Sequence, residues 1–195
     1  GNRLIRASLD KPVYKEKLRL RSYGVPTTDK PCFLELKKKY KSIVFKRRIS
    51  APYTDIKSYM AGEDSGIENS QILKEIDYFR RFYGCLKPAA DIFYDREAFY
   101  DRTDSSVRLT FDSNALARGW DLELENGIYG ERVLENGLYI LEVKTPGAMP
   151  MWIAEMLNEF EIYPTSFSKY GTAYKNGLLT RENKKIITLG GEYCA

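Results

Sequence analysis

The chain has 195 residues, of which 30% are charged, and its formal net charge is only +4. This length suits one domain with a sizeable core, and no stretch approaches the roughly 18 consecutive apolar residues of a membrane-spanning helix. The chain has no histidine, which excludes Ser-His-Asp and Cys-His catalysis and zinc sites built from imidazole. A metal ion would have to be held by carboxylate oxygen, which favours Mg²⁺ or Mn²⁺ and, with Lys and Arg, is typical of phosphate chemistry.

The spacing of the cysteines indicates the redox state of the compartment. Cys32, Cys85 and Cys194 are widely spaced and form no CxxC pair. That spacing predicts free thiols without a catalytic role, in a reducing compartment. No signal-peptide pattern opens the chain, so we expect a cytoplasmic protein.

Strands dominate the predicted structure of the first half. Gly1–Leu9 has no helix-start signal, so it is expected to lead directly into the first strand. Val25–Lys30 contains turn residues and is predicted to close a hairpin between the first two strands. Ser50 and Pro52 are expected to end the third strand and to lead into a polar segment. The strands predicted here are Tyr14–Tyr23, Cys32–Tyr40 and Ile43–Ile49.

One helix is predicted in this half. It is expected to start from a cap at Asn69 or Ser70 and to run to about Tyr83, with Gly84 ending it. Apolar residues recur along it at helical spacing, which predicts a helix that braces a sheet. These residues are Ile72, Leu73, Ile76 and Phe79.

The second half returns to strands. A strand with an internal turn is predicted at Ala90–Tyr100 and a second strand at Val107–Asp112. Asp121–Tyr129 is expected to pair with Leu138–Thr145 as a hairpin. A helix is predicted at Met151–Phe160, with Pro150 at its start. Its expected apolar face consists of Trp152, Met156, Leu157 and Phe160. A short helix or turn is predicted at Ser166–Tyr174.

These elements define the expected fold class. Many antiparallel strands braced by a few helices predict an α+β domain. Strands with one polar and one apolar face also allow the sheet to close into an antiparallel β-barrel. We therefore expect a single domain over residues 1–195.

Basic and apolar residues alternate along the predicted strands. In Tyr14–Tyr23, the basic residues occupy every second position, with Leu18 and Leu20 between them. Because successive side chains of a strand point to opposite faces, this alternation predicts one cationic face and one apolar face. The basic residues of such faces are Lys15, Lys17, Arg19, Arg21, Lys37, Lys39, Lys46, Arg48, Arg108 and Lys144, and the carboxylates among them are Glu35, Asp112 and Glu142.

Two interpretations of this pattern stay open at this point. The sheet could present a solvated face whose Lys and Arg residues pair with neighbouring carboxylates. Alternatively, the cations could line a polar interior that binds a polyanion, since crowded like charges are unfavourable without counter-anions. Nucleic acid is not the expected ligand, because Glu35 and Glu142 would repel a phosphate backbone in the absence of metal.

Several segments resemble a known family. LEVKTPGAMPMWIAEML and YPTSFSKYGTAY are similar to the VTC domain, the polyphosphate polymerase domain of vacuolar transporter chaperones and their bacterial relatives. KPVYKEKLRLRSYG, FLELKKKY, VFKRR and VRLTFDSN resemble the same family in the same order. The resemblance implies a triphosphate tunnel metalloenzyme (CYTH-like) fold, an antiparallel barrel that forms a tunnel. It also implies that the family's first two strands are missing before Gly1, which predicts an N-terminally truncated chain.

The resemblance implies roles for individual residues. Glu142 matches the metal-binding glutamate, which would hold Mn²⁺ or Mg²⁺. The expected catalytic phosphate-gripping residues are Arg19, Arg21, Lys37, Arg108, Lys144 and Lys169. Arg118 and Ser168 are expected to bind phosphate by resemblance, and Lys17, Lys46 and Arg48 by the charge pattern.

The implied activity is that of a polyphosphate polymerase. It would transfer the terminal phosphoryl group of ATP or another nucleoside triphosphate to a polyphosphate chain. The expected ligands therefore include polyphosphate, triphosphate and pyrophosphate. The alternatives are a tripolyphosphatase or nucleoside triphosphatase on the same fold, and a polyphosphate-binding module without turnover.

Overall fold

The computed structural model describes residues 3–10, 12–41, 43–84, 86–179 and 187–188. They form a mixed α+β structure with antiparallel sheets, as predicted. The chain divides into two compact units. The first unit comprises Gly1–Asp91, Asp121–Ile128 and Thr188–Ala195, and the second comprises Ile92–Trp120 and Tyr129–Ile187.

The first unit contains a three-stranded antiparallel sheet in the order β1-β2-β3. Lys30 donates its backbone N–H to the carbonyl of Thr27 over 3.1 Å in the connection between β1 and β2, which confirms the predicted hairpin. The strands are β1 Tyr14–Arg21, β2 Pro31–Tyr40 and β3 Ile43–Pro52.

Three helices belong to the first unit: α1 Arg3–Leu9, α2 Tyr53–Ala61 and α3 Gln71–Tyr83. The prediction of α3 is confirmed, since the Ser70 hydroxyl accepts a hydrogen bond from the backbone N–H of Leu73 and Gly84 caps the other end. Helices α1 and α2 were not predicted from the sequence. Helix α1 replaces the expected direct entry into a strand, and α2 occupies the segment expected to be polar.

The apolar face of this sheet lies under helices. Leu34 and Leu36 of β2 are buried in one cluster with Leu73, Ile76 and Phe79 of α3. Leu18, Leu20 and Ile49 pack against the same cluster. The cationic residues of β1 alternate with Leu18 and Leu20, so they lie on the opposite side of the sheet.

The second unit contains most of a five-stranded sheet in which β5 is central. Strand β5 pairs with β4, and it pairs with β7 near its start and with β6 near its end. The strands are β4 Asp91–Tyr100, β5 Arg108–Arg118, β6 Tyr129–Arg132, β7 Ile140–Lys144 and β8 Ile187–Thr188.

Two predictions for this region are wrong. Residues 91–100 form one continuous strand, without the expected internal turn. The Leu138–Thr145 segment pairs with β5 in antiparallel register and not with Asp121–Tyr129. Long-range pairing with Leu109 and Phe111 of β5 overrides the local hairpin signal, because it buries the apolar side of β7.

Helices α4 Met151–Glu159 and α5 Lys169–Lys175 belong to the second unit. Helix α4 starts after Pro150, as predicted, but only part of its predicted apolar face is buried. Ile153 is buried and Met156 and Leu157 pack beside it, at the i, i+3, i+4 spacing of one helix face. Trp152 and Phe160 were predicted to belong to the apolar face and are instead exposed.

The closed barrel is not confirmed. The described strands pair into a three-stranded and a five-stranded sheet, and no closed ring of strands is detected among them. The tunnel therefore stays a prediction.

Of the predicted thiols, Cys32 is free and buried, while Cys85 and Cys194 lie outside the described residues. Within the described part of the chain, every helix is too short or too polar to span a bilayer.

Candidate functional site

Three lysines stand side by side on the sheet of the first unit. The strand register places Lys17 opposite Lys37 and Lys37 opposite Lys46. Side chains directly opposite each other in an antiparallel pair have Cβ atoms about 5 Å apart, and like charges in that position are destabilising. The register thus confirms that the alternating cations of these strands share one face.

The next row of the same face contains a carboxylate between two arginines, because Arg19 and Arg48 both lie opposite Glu35. Arg48 donates to one Glu35 oxygen through Nε at 2.8 Å and Nη2 at 2.5 Å. Arg19 donates to the other oxygen through Nε at 3.0 Å and through Nη2. Lys46 adds an ion pair at 3.0 Å.

Glu35 is fully buried and ionised in this setting. Burial by itself would raise the pKa of its carboxyl group, but the hydrogen bonds from Arg19, Arg48 and Lys46 outweigh burial and lower that pKa to about 2. One negative charge therefore organises three cations, and the row keeps a net positive charge.

The remaining lysines of the face have no such partner. Among the described residues, no carboxylate lies within 4.0 Å of the ammonium group of Lys17 or Lys37. Burial lowers the pKa of Lys37 to about 8, and the neighbouring charges of Arg19 and Lys17 contribute in the same direction. Burial also lowers the pKa of Lys17, followed by the charges of Arg19 and Lys15. Such a cluster is stabilised by a bound anion.

Aromatic rings flank the arginines at the end of this face. The guanidinium group of Arg21 lies over the Tyr23 ring at 4.9 Å, and that of Arg48 lies over the Phe33 ring at 4.4 Å. Tyr23 and Phe33 contact each other edge to face. These contacts restrict the two guanidinium groups and leave their positive charge in place.

A second buried carboxylate lies in the second unit. Asp112 of β5 is fully buried, and Arg96 of β4 donates to its two oxygens through Nε at 2.5 Å and Nη2 at 2.6 Å. Lys169, the first residue of α5, also donates to Asp112. Burial by itself would raise the pKa of Asp112, but Arg96 and Lys169 outweigh it and hold the pKa below its usual range.

Glu142 lies next to this pair on the same sheet. It is directly opposite Thr110 of β5, two residues before Asp112. Arg96 Nη2 lies 3.3 Å from one Glu142 oxygen, and Lys144 Nζ lies 3.8 Å from the other. Arg96 therefore contacts both carboxylates.

Glu142 could hold a divalent cation only together with oxygen ligands from a bound phosphate. The described residues contain no group of three or more carboxylate or thiol side chains that could enclose a metal ion. Mg²⁺ is commonly held by one or two carboxylates together with phosphate oxygens and waters. Glu142 suits that mode, in which the phosphate ligand brings most of the oxygens.

Arg108 and Lys144 are neighbours on the same sheet as Asp112 and Glu142. They face each other across β5 and β7, and Lys144 lies on the same strand face as Glu142. The Arg108 guanidinium group lies over the Tyr100 ring at 5.8 Å. The half-buried Arg108 and the exposed Lys144 adjoin the Asp112–Arg96–Glu142 group.

Arg118 lies apart from that group. Its guanidinium group is fully buried, 4.9 Å from the centre of the Phe93 ring and 4.2 Å from that of the Tyr129 ring. Lys169 and Arg96 instead contact the Tyr94 ring, and adjacent residues Phe93 and Tyr94 of a strand point to opposite faces.

The backbone of β5 explains why Arg118 and Asp112 lie on different faces of the strand. Asn114 has a φ of +48°, an uncommon backbone conformation that interrupts the alternation of the strand between Asp112 and Arg118. Phosphate binding by Arg118 stays a prediction.

Ser168 and Lys169 make different contacts. The Ser168 hydroxyl caps α5 by accepting a hydrogen bond from the backbone N–H of Gly171 at 3.2 Å, while Lys169 donates to Asp112.

The structure places most of the predicted site residues in two clusters. Lys17, Arg19, Arg21, Lys37, Lys46 and Arg48 lie in the first unit, and Arg108, Glu142, Lys144 and Lys169 lie in the second.

Arg96 was not predicted from the sequence as a site residue. It falls within DIFYDREAFY, where the expected internal turn would have left it on a loop. The signal that could have found it is the alternation of Tyr94 and Arg96 in a continuous strand. Glu35 and Asp112 were noted as embedded carboxylates without an assigned role.

Similarity to known proteins indicates the family of this chain. A profile of the VTC domain matches residues 1–177. A search of curated proteins found no match. VTC domains are associated with polyphosphate metabolism. With nearly the whole chain matched, this protein belongs to the VTC domain family.

Proposed function

We propose that the chain is a polyphosphate polymerase, which transfers the terminal phosphoryl group of ATP or another nucleoside triphosphate to a polyphosphate chain. The observation that carries the proposal is the row of three adjacent lysines, Lys17, Lys37 and Lys46. Glu35 is their only carboxylate neighbour among the described residues. Its single negative charge is already shared by Arg19, Arg48 and Lys46. Such a face is incomplete without an anionic ligand. Membership of the VTC family indicates which anion.

The first cluster would bind phosphate groups. Lysine ammonium groups act as point charges, and they tolerate the varied oxygen positions along a flexible phosphate chain. Arg19 and Arg48 stay accessible to a ligand beyond Glu35, since each side chain is about one-third exposed. These residues would grip the ligand by charge and would not take part in proton transfer.

The second cluster would act at the reacting phosphoryl group. Arg108, Lys144 and Lys169 are cations that could stabilise the charge which develops in the transition state. Glu142 would hold Mn²⁺ or Mg²⁺ together with phosphate oxygens, and the ion would neutralise charge on the transferred group. Asp112 would hold Lys169 in place.

The reaction needs no general base. The nucleophile is a terminal phosphate oxygen of the chain, which already carries negative charge near neutral pH. It forms a bond to the γ-phosphorus of the triphosphate, the bond from that phosphorus to the β–γ bridging oxygen breaks, and a nucleoside diphosphate leaves. Positioning and charge stabilisation suffice for such a transfer, which is consistent with a chain that lacks histidine.

Product analysis tests the proposal. The chain is incubated with ATP and Mn²⁺, with and without a short polyphosphate primer, and the products are resolved by gel and by phosphorus NMR. Long phosphate chains together with ADP would support a polymerase. Free phosphate alone would replace the proposal with a hydrolase. Tight polyphosphate binding without either product would identify a binding module.

A further inference from the structure

An exposed apolar patch extends the apolar face of the first sheet next to helix α3. The strand register places Tyr14, Tyr40 and Ile43 side by side across β1, β2 and β3. Phe45 lies on the same face, two residues along β3 from Ile43. These four residues and Tyr78 and Phe82 of α3 are called the outer patch, and each is between 47% and 63% exposed.

Side-chain contacts join the helix part of the outer patch to its strand part. The rings of Tyr78 and Phe82, one helical turn apart, stack with their centroids 6.2 Å apart. Phe82 contacts Tyr83 edge to face at 5.0 Å, and the hydroxyl groups of Tyr83 and Tyr14 both donate to Glu16 of β1, at 2.8 Å and 2.7 Å. Burial and the hydrogen bond to Glu16 raise the pKa of Tyr14, and the nearby hydroxyls of Tyr83 and Tyr78 add to the rise. The six residues therefore form one continuous surface.

Charged groups beside the outer patch are paired within the chain. Glu16 accepts hydrogen bonds from two tyrosines. Glu75 of α3 lies 3.4 Å from Arg47 Nε and 4.0 Å from Lys38 Nζ. By the alternation of the strands, the lysine row of the candidate site lies on the opposite side of the sheet. Two chains could therefore bring their outer patches together without the repulsion that keeps two cationic faces apart.

The area of the outer patch matches that of a small homodimer interface. A large apolar or aromatic side chain buries about 200 Å², so six half-exposed side chains offer on the order of 600 Å² per chain. Monomeric proteins rarely expose a contiguous apolar patch larger than a few hundred Å². A two-fold contact buries the same patch on both chains, so the total reaches about 1,200 Å², the lower limit for stable specific interfaces.

We propose that the outer patch is a homodimer interface, which packs against the same patch of a second copy of this chain about a two-fold axis. Aromatic and apolar side chains on both sides suit each other, since aromatic rings pack favourably edge to face or offset. The cationic faces of the two chains would point away from the interface and stay accessible to phosphate ligands. This interface goes beyond the proposed function and does not depend on it.

Sedimentation velocity tests the association directly. The chain is measured from about 1 to about 200 μM, a range that brackets the Kd of about 10 μM expected for an interface of this size. The wild-type chain should change from monomer to dimer over this range. Phe45→Glu places a charge in the outer patch of both copies, so it should weaken dimerisation by at least about 100-fold.

A matched control variant separates the outer patch from general surface effects. Phe99, like Phe45, is a strand phenylalanine that is 53% exposed, but it belongs to the second unit. Phe99→Glu should therefore dimerise as the wild-type chain does. Tyr78→Arg covers the case in which Phe45→Glu fails to fold, because Tyr78 is an exposed residue of α3 and arginine favours a helix. Tyr78→Arg should also weaken dimerisation, and circular dichroism checks that each variant is folded.

The remaining outcomes would overturn the interface. A wild-type chain that stays monomeric at the highest concentration would do so, as would a dimer that folded Phe45→Glu and Tyr78→Arg chains keep or that Phe99→Glu disrupts equally. Co-sedimentation of the monomer with neutral phosphatidylcholine vesicles, lost in Phe45→Glu, would assign the outer patch to a lipid surface instead. A chain that makes no polymer but shows the expected dimer would overturn only the polymerase.

Discussion

The two units bury a carboxylate among cations in different ways. Glu35 receives its partners from the strands on either side, so the register of one sheet is enough to assemble the group. Asp112 receives Arg96 from a neighbouring strand and Lys169 from a helix 57 residues later in the chain. The first group therefore forms with its sheet, while the second requires α5 to dock.

The surroundings of the two carboxylates differ as well. Glu35 is next to Lys17 and Lys37, which have no carboxylate within 4.0 Å in the described structure. Asp112 is next to Glu142, a second carboxylate that is 38% exposed. The first unit thus offers surplus positive charge, and the second offers cations with an accessible anionic oxygen. We expect the first to dominate ligand affinity and the second to dominate turnover.

The largest expected effect concerns turnover. Glu142→Gln keeps the shape of the side chain and removes the negative charge that would hold the proposed divalent ion, so the proposed polymer formation should fall by at least about 100-fold. Polyphosphate affinity should fall only modestly. Initial rates and equilibrium binding, measured on the same preparation, check both. Lys17→Met is the matched variant in the first unit and should weaken binding more than Glu142→Gln does. The reverse order of affinity losses would contradict the division between the units.

The next effect concerns stability. Glu35→Ala leaves three cations around an empty position, and removing one partner of a buried ion pair typically costs 3–5 kcal/mol. Since Arg19, Arg48 and Lys46 are about one-third to two-fifths exposed, we expect the free energy of unfolding to fall by about 2 kcal/mol. Urea denaturation measures it, with the exposed Glu63→Ala as control. A loss no larger than that of the control would show that Glu35 does not organise its row.

The same group gives a pH dependence of stability. The pKa of Glu35 is about 2 in the folded chain, below the ordinary value of about 4.3 expected when it is unfolded. Its stabilising contribution is therefore present above the unfolded value and is lost as pH falls through the folded value. Unfolding free energies between pH 6 and about 3 should decline less steeply in Glu35→Gln than in the wild-type chain. Equal slopes would be inconsistent with an ionised, hydrogen-bonded Glu35.

A smaller effect concerns the pH dependence of binding. Lys37 has a pKa of about 8, and a bound polyanion favours its charged form, so binding raises that pKa. Tripolyphosphate affinity should fall as pH rises above about 8, by at most about tenfold per pH unit. Calorimetric titrations from pH 7 to 9.5 measure this slope. Lys37→Arg keeps the charge and should flatten the slope; an unchanged slope would assign the titration to another group.

The smallest effect sharpens the contrast in assembly. Ser168→Ala removes the cap of α5, which should cost about 1 kcal/mol of stability. Because α5 carries Lys169, amide exchange should accelerate in α5 and stay unchanged in β1 to β3. Ser168→Asp, which can also cap a helix, should restore slow exchange. Faster exchange throughout both units would contradict separate assembly of the two groups.

The sequence by itself determined the features that depend on neighbouring residues. Alternation fixed the common face of Lys17, Lys37 and Lys46, and Ser70 and Gly84 marked the ends of α3, because side-chain direction and helix capping are local properties. The motifs LEVKTPGAMPMWIAEML and SFSKYG also sufficed to indicate the family. Local patterns of this kind survive in any tertiary context that keeps the element intact.

Only the tertiary structure decided which distant residues meet. The pairing of β7 with β5 places Glu142 beside Asp112, and no local signal distinguishes that partner from a nearer hairpin. The left-handed backbone at Asn114 separates Arg118 from Asp112, although simple alternation would put both on one face. Arg96 acquires its two carboxylates in the same way. Strand pairing and buried charge depend on the free energy of the whole sheet, which a linear pattern does not contain.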